Sequence, residues 1–455
     1  MTRARRRLTI VLTVLALVAV ACSGSDDGAQ DATGEAGGGP AVSGEATLLS
    51  AYTQQQELVG VDNLIAAFNE RYPDAEIAHE GSPRFEEQAL ARVDSGDPPE
   101  MMMILQPGLL TTFHDGGDLV AMNDFVDTET VESEYVPGIL QSGMLDGALV
   151  GLPIRLNVKS LVWYRSDVFE QHGYEVPETW EDLVALTARI RDDMGGQGIS
   201  PWCIGIENAT ATGWTLTDWV EDVMLRLHGG EVYDRWVGHD VGFDSPEVRQ
   251  AFEEVADIWF PEGNVLGGAQ NIVQTSVSAA PEPLFEDPPA CLLHRQASFI
   301  QGSFPDNAEY GVNYDFFSLP PIVDGTGERP MLTAGDLLAI FKDDPVTQAF
   351  AAFAASAEGQ EAWARAGSMI CANANCSPSA YPDEATTKQG ELLATATEAR
   401  FDASDLMPPQ IGADTFWKEG TAWAAGDQQL DRTLQAIDDA WPDGACGVGG
   451  VGPDC

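Results

Sequence analysis

Basic residues are scarce in this chain. Its 455 residues include 23 lysines and arginines against 72 aspartates and glutamates, and only Lys159, Lys342, Lys388 and Lys418 are lysine. Such an acidic surface repels phosphates and anionic headgroups, which excludes nucleic acid and anionic lipid as partners. Long apolar runs are missing as well: the stretch over residues 8–21 is too short to span a bilayer comfortably. Catalytic signatures are equally absent. There is no GxSxG, no HExxH, no EF-hand loop and no GxxxxGK[ST], since no lysine follows a glycine. The six histidines show no ligand spacing, so neither a metal nor a cofactor is expected. With no nucleotide motif, any ATP-driven step belongs to a separate chain. Glycosidase-type carboxylate pairs are not decided by spacing, because 72 acids guarantee chance pairs.

What is present begins with an address. Arg3, Arg5, Arg6 and Arg7 precede the apolar run, and Ala19, Val20 and Ala21 lead into Cys22. A basic region, a short apolar segment and small residues before a cysteine make a lipoprotein signal over residues 1–21. Cys22 is the expected lipidation site, a diacylated anchor rather than a span. Residues 22–45, rich in Gly, Ser, Ala and acids, are expected to form a disordered tether. Without the leader's four arginines, 19 basic residues face 72 acidic ones, a net charge near −53. That charge speaks to solubility, as a salty habitat would favour, and says nothing about the fold.

Seven cysteines less Cys22 leave six, an even number in an exported chain, so three disulfides are expected among fifteen connectivities. Cys371 and Cys376 bracket a short loop, and Cys446 and Cys455 bracket a Gly-rich tail. Elimination then joins Cys203 to Cys291.

The length predicts two or three domains. From residue 47 the pattern runs strand, helix, strand, helix, strand, helix: strands over 47–51, 75–79 and 101–105, and helices capped by Asp62, over 85–93, and from Pro107. This alternation predicts an α/β fold with a covered parallel sheet. Ligands of such sheets sit beyond the carboxyl ends of the strands, which singles out Tyr52, Gln54, Arg84 and Gln106. Residues 149–164, LVGLPIRLNVKSLVWY, alternate with a period of two after Pro153. Arg155, Asn157 and Lys159 share one face, and Leu156 and Val158 the other. Two cations within an apolar strand suggest that one face lines a polar cleft; the alternative is an amphipathic strand with its charges in water.

Further on, helices are expected from Thr179 to about 193 with Asp182 near a capping box, over 214–227 closed by Gly229-Gly230, and from Ser245-Pro246 to Trp259. More follow from Asp344-Pro345 through 357, and over 384–398, 414–425 and 428–440. Strands are expected over 204–206, 290–293 and 314–319, with an apolar run over 331–341 interrupted by Gly335-Asp336. GWTLTDWVED, residues 213–222, puts Trp214 and Asp218 one helical turn apart on one face. An indole beside carboxylates suits a sugar, whose C–H face stacks on the ring while its hydroxyls meet fixed acceptors.

The order and spacing of SGDPPEMMMILQPGLL (95–110), GLPIRLNVKSLVWY, GWTLTDWVED, CLLHRQASF (291–299), MLTAGDLLAIF (331–341) and LMPPQIGADTFWKEG (406–420) resemble the carbohydrate-binding proteins of ABC importers. The likeness runs over about residues 46–440. It is nearest the maltose/α-glucoside group of family 1 extracellular solute-binding proteins. The resemblance implies a two-lobed periplasmic-binding-protein-like (type II) fold with hinge crossings near Pro153, Tyr314 and Met407. Lobe 1 would be residues 46–152 plus 312–360, and lobe 2 residues 153–311 plus 361–455. Position by position, it implies that Gln54, Arg84 and Gln106 bond sugar hydroxyls from lobe 1. Trp214, Asp218, Ser298 and Phe299 would act from lobe 2, Gly335 would let backbone approach the sugar, Asp336 would accept from a hydroxyl pair, and Trp417 would stack. Tyr52 and Gln54 stand where many relatives carry charge or tryptophan, and Phe299 replaces a tryptophan common in maltodextrin binders, which argues against a long glucose chain.

The expected function is that of a monomeric, lipid-anchored receptor on the extracellular face of the bacterial cytoplasmic membrane. It has no catalytic residues, binds a carbohydrate between closing lobes and delivers it to permease subunits whose ATPase is a separate chain. The alternatives are a receptor for another polar solute, such as a polyol or glycerol phosphodiester, and a secreted glycoside hydrolase.

Overall fold

The computed structural model describes residues 42–53, 55–322, 325–367, 369–452 and 455. The expected leader, Cys22 and Gln54 lie outside the described residues, as does most of the expected tether. In chain order the strands are β1 (Ser43–Ser50), β2 (Asp74–Gly81), β3 (Met101–Ile104), β4 (Met144–Leu145), β5 (Ala148–Leu149) and β6 (Leu152–Val158). They continue as β7 (Leu161–Tyr164), β8 (Ser200–Trp202), β9 (Cys291–Arg295), β10 (Asp315–Ser318), β11 (Met331–Ile340) and β12 (Ala399–Phe401). Strand β1 starts inside the stretch read as tether, because Ser43, Gly44 and Glu45 pair with Asp74, Ala75 and Glu76 of β2.

Two sheets organise these strands. The larger runs β12-β11-β3-β1-β2 with β6 on β11, and the smaller runs β10-β7-β9-β8. Strand β3, MMMI, is wholly buried, as expected of a continuous apolar run covered on both faces. Pairing of β1 with β2 and β3 is parallel, as the strand–helix alternation predicts, but β11 lies antiparallel to β3 and β6. The larger sheet is therefore mixed rather than parallel. Strand β11 arrives by a loop from the other sheet, so no helical crossover fixes its direction. The hairpin β4–β5 closes through Asp146 and Gly147, both at positive φ, the two-residue turn that an Asp-Gly pair favours.

The chain leaves the larger sheet after Val158 and enters the smaller at Leu161, with only Lys159 and Ser160 between. It returns between Ser318 and Met331, and β12 lies at the edge of the larger sheet. The passages thus fall later than Pro153 and Tyr314, and the last follows Phe401 rather than Met407. Pro153 belongs inside β6, opposite Leu337 where the β6–β11 register shifts. Proline has no N–H to give to a ladder, and a bulge is one of the few places in a sheet that tolerates it.

Helices begin as expected where both halves of a cap stand together in the sequence. Thr179 and Asp182 form a reciprocal capping box at the start of Trp180–Met194, and Ser245 accepts from Val248 N–H ahead of Pro246. Where a signal was indirect, the element moved. Asp62 lies within the helix Gln55–Arg71 rather than at its cap, and β8 replaces the strand expected over 204–206. Ser356 ends the helix Pro345–Ala355 and caps a second, Ala357–Ala364, against which Gln55–Arg71 packs through Gly60 and the Trp363 indole. The helix from Trp214 runs on to Val237 through a kink at Gly229. Residues 411–416 take up a wider π turn before Trp417–Ala424. All three expected disulfides are present: Cys203–Cys291, Cys371–Cys376 and Cys446–Cys455.

Candidate functional site

The place where the chain passes between sheets is also where polar side chains collect. Arg155, Asn157 and Lys159 all open onto one cavity of about 410 Å³, so the polar face of the alternating strand does line a cleft. Gln106 faces them from beyond β3, Ala334, Gly335 and Asp336 from β11, and Trp214 and Phe299 from the other side. A second cavity, of about 450 Å³, shares Arg155, Asn157 and Phe299 and extends to Ser298, Gln301, Asp383 and Gln389.

Strands β6 and β11 set the first wall. Asp336 lies opposite Arg155 in the ladder and forms a salt bridge with its guanidinium, which also sits 5.8 Å from the Tyr52 ring. Asp336 is fully buried, and its Oδ1 makes no hydrogen bond among the described residues. Asp336 is thus part of the cavity wall with one carboxylate oxygen engaged by Arg155. Gly335 is required there, because a Cβ would collide with the Arg155 carbonyl.

The aromatic wall comes from two other elements. Trp214 opens its helix after Gly213, whose φ of 114° turns the chain into the first turn. Phe299 follows β9, is 40% exposed, and lies with its ring centroid 5.9 Å from that of Trp214. Gly213 is packed against the Trp417 backbone, where a side chain would not fit. Two tilted rings of this kind offer flat apolar faces next to a polar wall, the combination that a sugar ring requires.

Behind the wall lies a buried ionic network. Lys159 donates to Asp218 Oδ1 at 2.8 Å and to Asp402, and its ammonium stands 5.2 Å from the Trp214 ring. Burial alone would lower the lysine's pKa, but the adjacent carboxylates of Asp218 and Asp402 outweigh it and hold the ammonium charged. Asp222 takes bonds from Arg295 (2.8 Å), Arg226 and Ser160 (2.8 Å). Ser160 in turn accepts from Leu332 N–H at 2.8 Å, and Arg226 caps the carbonyls of Leu319, Pro320 and Pro330. The first two passages between the sheets are therefore fastened to the helix Trp214–Val237 through one aspartate.

The structure sorts the expected residues unequally. Gln106, Arg155, Asn157, Lys159, Trp214, Phe299, Gly335 and Asp336 come together at the first cavity, and Ser298 at the second, where its hydroxyl accepts from Val158 N–H at 3.3 Å. Asp218 is one layer back, bonded to Lys159. Tyr52 is buried edge-on against Trp363, and Arg84 points to solvent with Glu87. Trp417 is buried and belongs to neither cavity wall. Arg84 lines neither cavity because it immediately precedes the helix Phe85–Asp94, whose inward face is taken by Phe85 and Ala89; Glu86 reaches the cavity instead. Trp417 is kept from the cavities because the helix it opens packs onto the helix Trp214–Val237. Sequence reasoning missed Glu221, Asp222, Arg226, Arg295, Asp402 and Asp405. A signal existed in the acids of TDWVED, which recur on one helical face amid apolar residues.

A two-lobed α/β fold with a polar, aromatic-walled cavity at the passages between its sheets defines a receptor for a small polar solute. The chain belongs to the bacterial extracellular solute-binding protein family, whose model matches residues 52–361. It is 37% identical over 409 residues to the osmoprotective compounds-binding protein GgtB of Synechocystis, covering 89% of this chain and 95% of that protein. It is also 37% identical over 377 residues to the alpha-glucosides-binding periplasmic protein AglE of Rhizobium meliloti, covering 80% of each. Among solved structures, the solute receptor AcbH, described as preferring β-D-galactopyranose, superposes with a TM-score of 0.70 at 16% identity, over 87% of this chain and 97% of that one. The sugar-binding protein MalE of Xanthomonas citri gives 0.69 at 16% identity, over 87% and 96%. No helix among the described residues is long and apolar enough to cross a membrane.

Proposed function

We propose that this protein is the substrate-binding component of an ABC importer for a carbohydrate, an α-glucoside or another small oligosaccharide. The observation that carries the reading is the cavity at the β6–β11 ladder. It joins a buried carboxylate with an unused oxygen, an amide from Asn157 and one from Gln106 to the rings of Trp214 and Phe299. Cavities of this size fall in the usual small-ligand range of roughly 300–1,000 Å³. Two that adjoin at Arg155, Asn157 and Phe299 suit a ligand of about two sugar rings. The names of the relatives support the same class, and no catalytic step is assigned.

In this reading the lobes divide where the chain changes sheets, at Lys159-Ser160, between Ser318 and Met331, and after Phe401. Saccharide stabilises a closed arrangement because only there do both walls contact it. The closed surface then delivers the sugar to separate permease and ATPase chains. Cys22 anchors a monomer to the outer face of the membrane through its lipid. A micromolar dissociation constant, about 8 kcal/mol, is what a few stacked faces and charge-assisted hydrogen bonds supply. A phosphorylated ligand is disfavoured because Arg155 and Lys159 are already engaged by carboxylates.

A thermal-shift screen of mono- and disaccharides, followed by calorimetry, tests this directly. A ligand at a hundred times its dissociation constant adds about 2.7 kcal/mol of stability. Stabilisation by at least one α-glucoside, with a more compact scattering profile, is expected. The reading is overturned if every saccharide leaves melting and scattering unchanged, or if aryl glucosides are hydrolysed.

A further inference from the structure

The network behind Lys159 has an imbalance of charge that the saccharide site does not use. Three cations, Lys159, Arg226 and Arg295, stand among five carboxylates, those of Asp218, Glu221, Asp222, Asp402 and Asp405. Asp222 has two arginines, and Asp218 and Asp402 share the lysine. With all five ionised, two negative charges have no opposite charge, and burial together with the neighbouring carboxylates pushes Glu221 and Asp405 well above the usual carboxylate range. Glu221 is the clearest case: it is fully buried, and its hydrogen bond is to Ser404 N–H at 3.0 Å.

The three carboxylates Asp218, Glu221 and Asp402 converge. Asp218, Glu221 and Asp402, each at most 1% exposed, can each bring one carboxylate oxygen to within 4.8 Å of the others. Each carboxylate has one oxygen fixed by the protein, to Lys159 for Asp218 and Asp402 and to Ser404 for Glu221. The second oxygens of Asp218 and Glu221 make no hydrogen bond among the described residues, Asp218 Oδ2 having the Arg295 guanidinium at 3.8 Å, while Asp402 shares a hydrogen bond with the Asp405 carboxyl. Leaving buried carboxylate oxygens unpaired costs several kcal/mol unless a positive charge or a proton lies among them.

We propose that Asp218, Glu221 and Asp402 form a site for a divalent cation of the calcium type, seated behind the saccharide cavity. An all-oxygen, carboxylate donor set suits a hard cation. Calcium accepts an irregular shell of oxygens at roughly 2.3–2.6 Å, whereas magnesium demands a near-ideal octahedron and keeps most of its water, so a buried carboxylate cluster suits the former. With all five carboxylates ionised, a charge of two balances the excess. The ion links the helix Trp214–Val237 to Asp402, the residue immediately after β12 at the third passage between sheets. It therefore fastens that passage as Asp222 fastens the other two.

The test uses the full chain freed of metal by a chelator, titrated with calcium chloride in calorimetry and melting experiments at 0.15 M sodium chloride. One saturable site per chain and a higher melting temperature are expected. Glu221→Gln keeps the acceptor for Ser404 N–H but removes the charge, and should weaken calcium binding at least tenfold. Terbium, a calcium substitute, should show luminescence excited through tryptophan, given Trp214 and Trp219 on the same helix, with calcium displacing it. Anomalous scattering from terbium-soaked crystals should peak among the three carboxylates, a readout that holds even if Glu221→Gln does not fold. An unsaturable calcium response that sodium chloride abolishes marks diffuse attraction to the acidic surface and overturns the proposal. So does an unchanged affinity in Glu221→Gln, or anomalous density elsewhere.

Discussion

Arg155 and Asp336 stand opposite one another across the antiparallel strands β6 and β11, joined by a salt bridge whose carboxylate is wholly buried. The pair does two jobs, holding the ladder at its bulge and setting a carboxylate with one unused oxygen in the cavity wall. Asp336→Asn removes the counter-charge from the guanidinium, and breaking a buried pair in this way costs about 3–5 kcal/mol. The variant should melt at lower temperature and bind its best saccharide about tenfold or more weaker. Calorimetry that returns wild-type affinity in a folded Asp336→Asn would remove this residue from the site.

How far the sequence disclosed this arrangement depended on how local each signal was. The alternation of Arg155, Asn157 and Lys159 is a property of one strand, and all three reach the cavity. Thr179 with Asp182, and Ser245 with Pro246, are complete within one turn and cap as expected. Arg84, by contrast, was chosen because it follows a strand, and the turn of helix after it decides where it points. The partners of Lys159 come from residues 59 and 243 positions away, and no local pattern pairs them. The direction of β11 was hidden for the same reason: it depends on how a loop returns from the other sheet.

Trp214 meets the cavity from the helix side and carries the cation–π contact with Lys159 at 5.2 Å. Trp214→Ala should weaken saccharide binding by about 1–3 kcal/mol through lost stacking and leave the fold intact, since the ring is only half-buried. Trp214→Phe should keep most of the affinity but lose much of the fluorescence change on adding sugar. If that fluorescence response survives in Trp214→Phe at full size, another tryptophan senses the ligand.

The disulfides should differ in what they contribute. Cys203–Cys291 closes a loop across a sequence separation of 88, and Cys446–Cys455 one of 9. Loop-closure entropy then gives about 4–5 kcal/mol for the first and about 2–3 for the second. The first also fastens β9 to the chain just past β8. Denaturant titration of the Cys203→Ser/Cys291→Ser and Cys446→Ser/Cys455→Ser double variants should therefore show the larger loss in the former. Equal losses would mean that native packing rather than chain closure sets their worth.

Acid stability should report on His294. Its ring is buried in β9, and Nδ1 donates to the Cys203 carbonyl at 2.9 Å, while Nε2 makes no hydrogen bond among the described residues. Burial pushes its pKa down, the neighbouring Arg295 pushes the same way, the bond to Cys203 opposes them, and the result is about 4. In the unfolded chain the ring titrates near 6.5, so above that pH neither state binds the proton and stability is unaffected. As the pH falls from about 6.5 towards 4 the unfolded chain gains the proton first, and folding loses about 2 kcal/mol by pH 5. His294→Asn keeps an N–H for the Cys203 carbonyl but cannot titrate. Its smaller side chain lowers stability by the same amount at every pH, so the slope rather than the level is the readout. Denaturant titrations at pH 7 and pH 5 should show wild type losing about 2 kcal/mol more than the variant over that interval. Identical losses in the two proteins would mean that the imidazole takes up its proton inside the folded chain and contributes nothing to the acid transition.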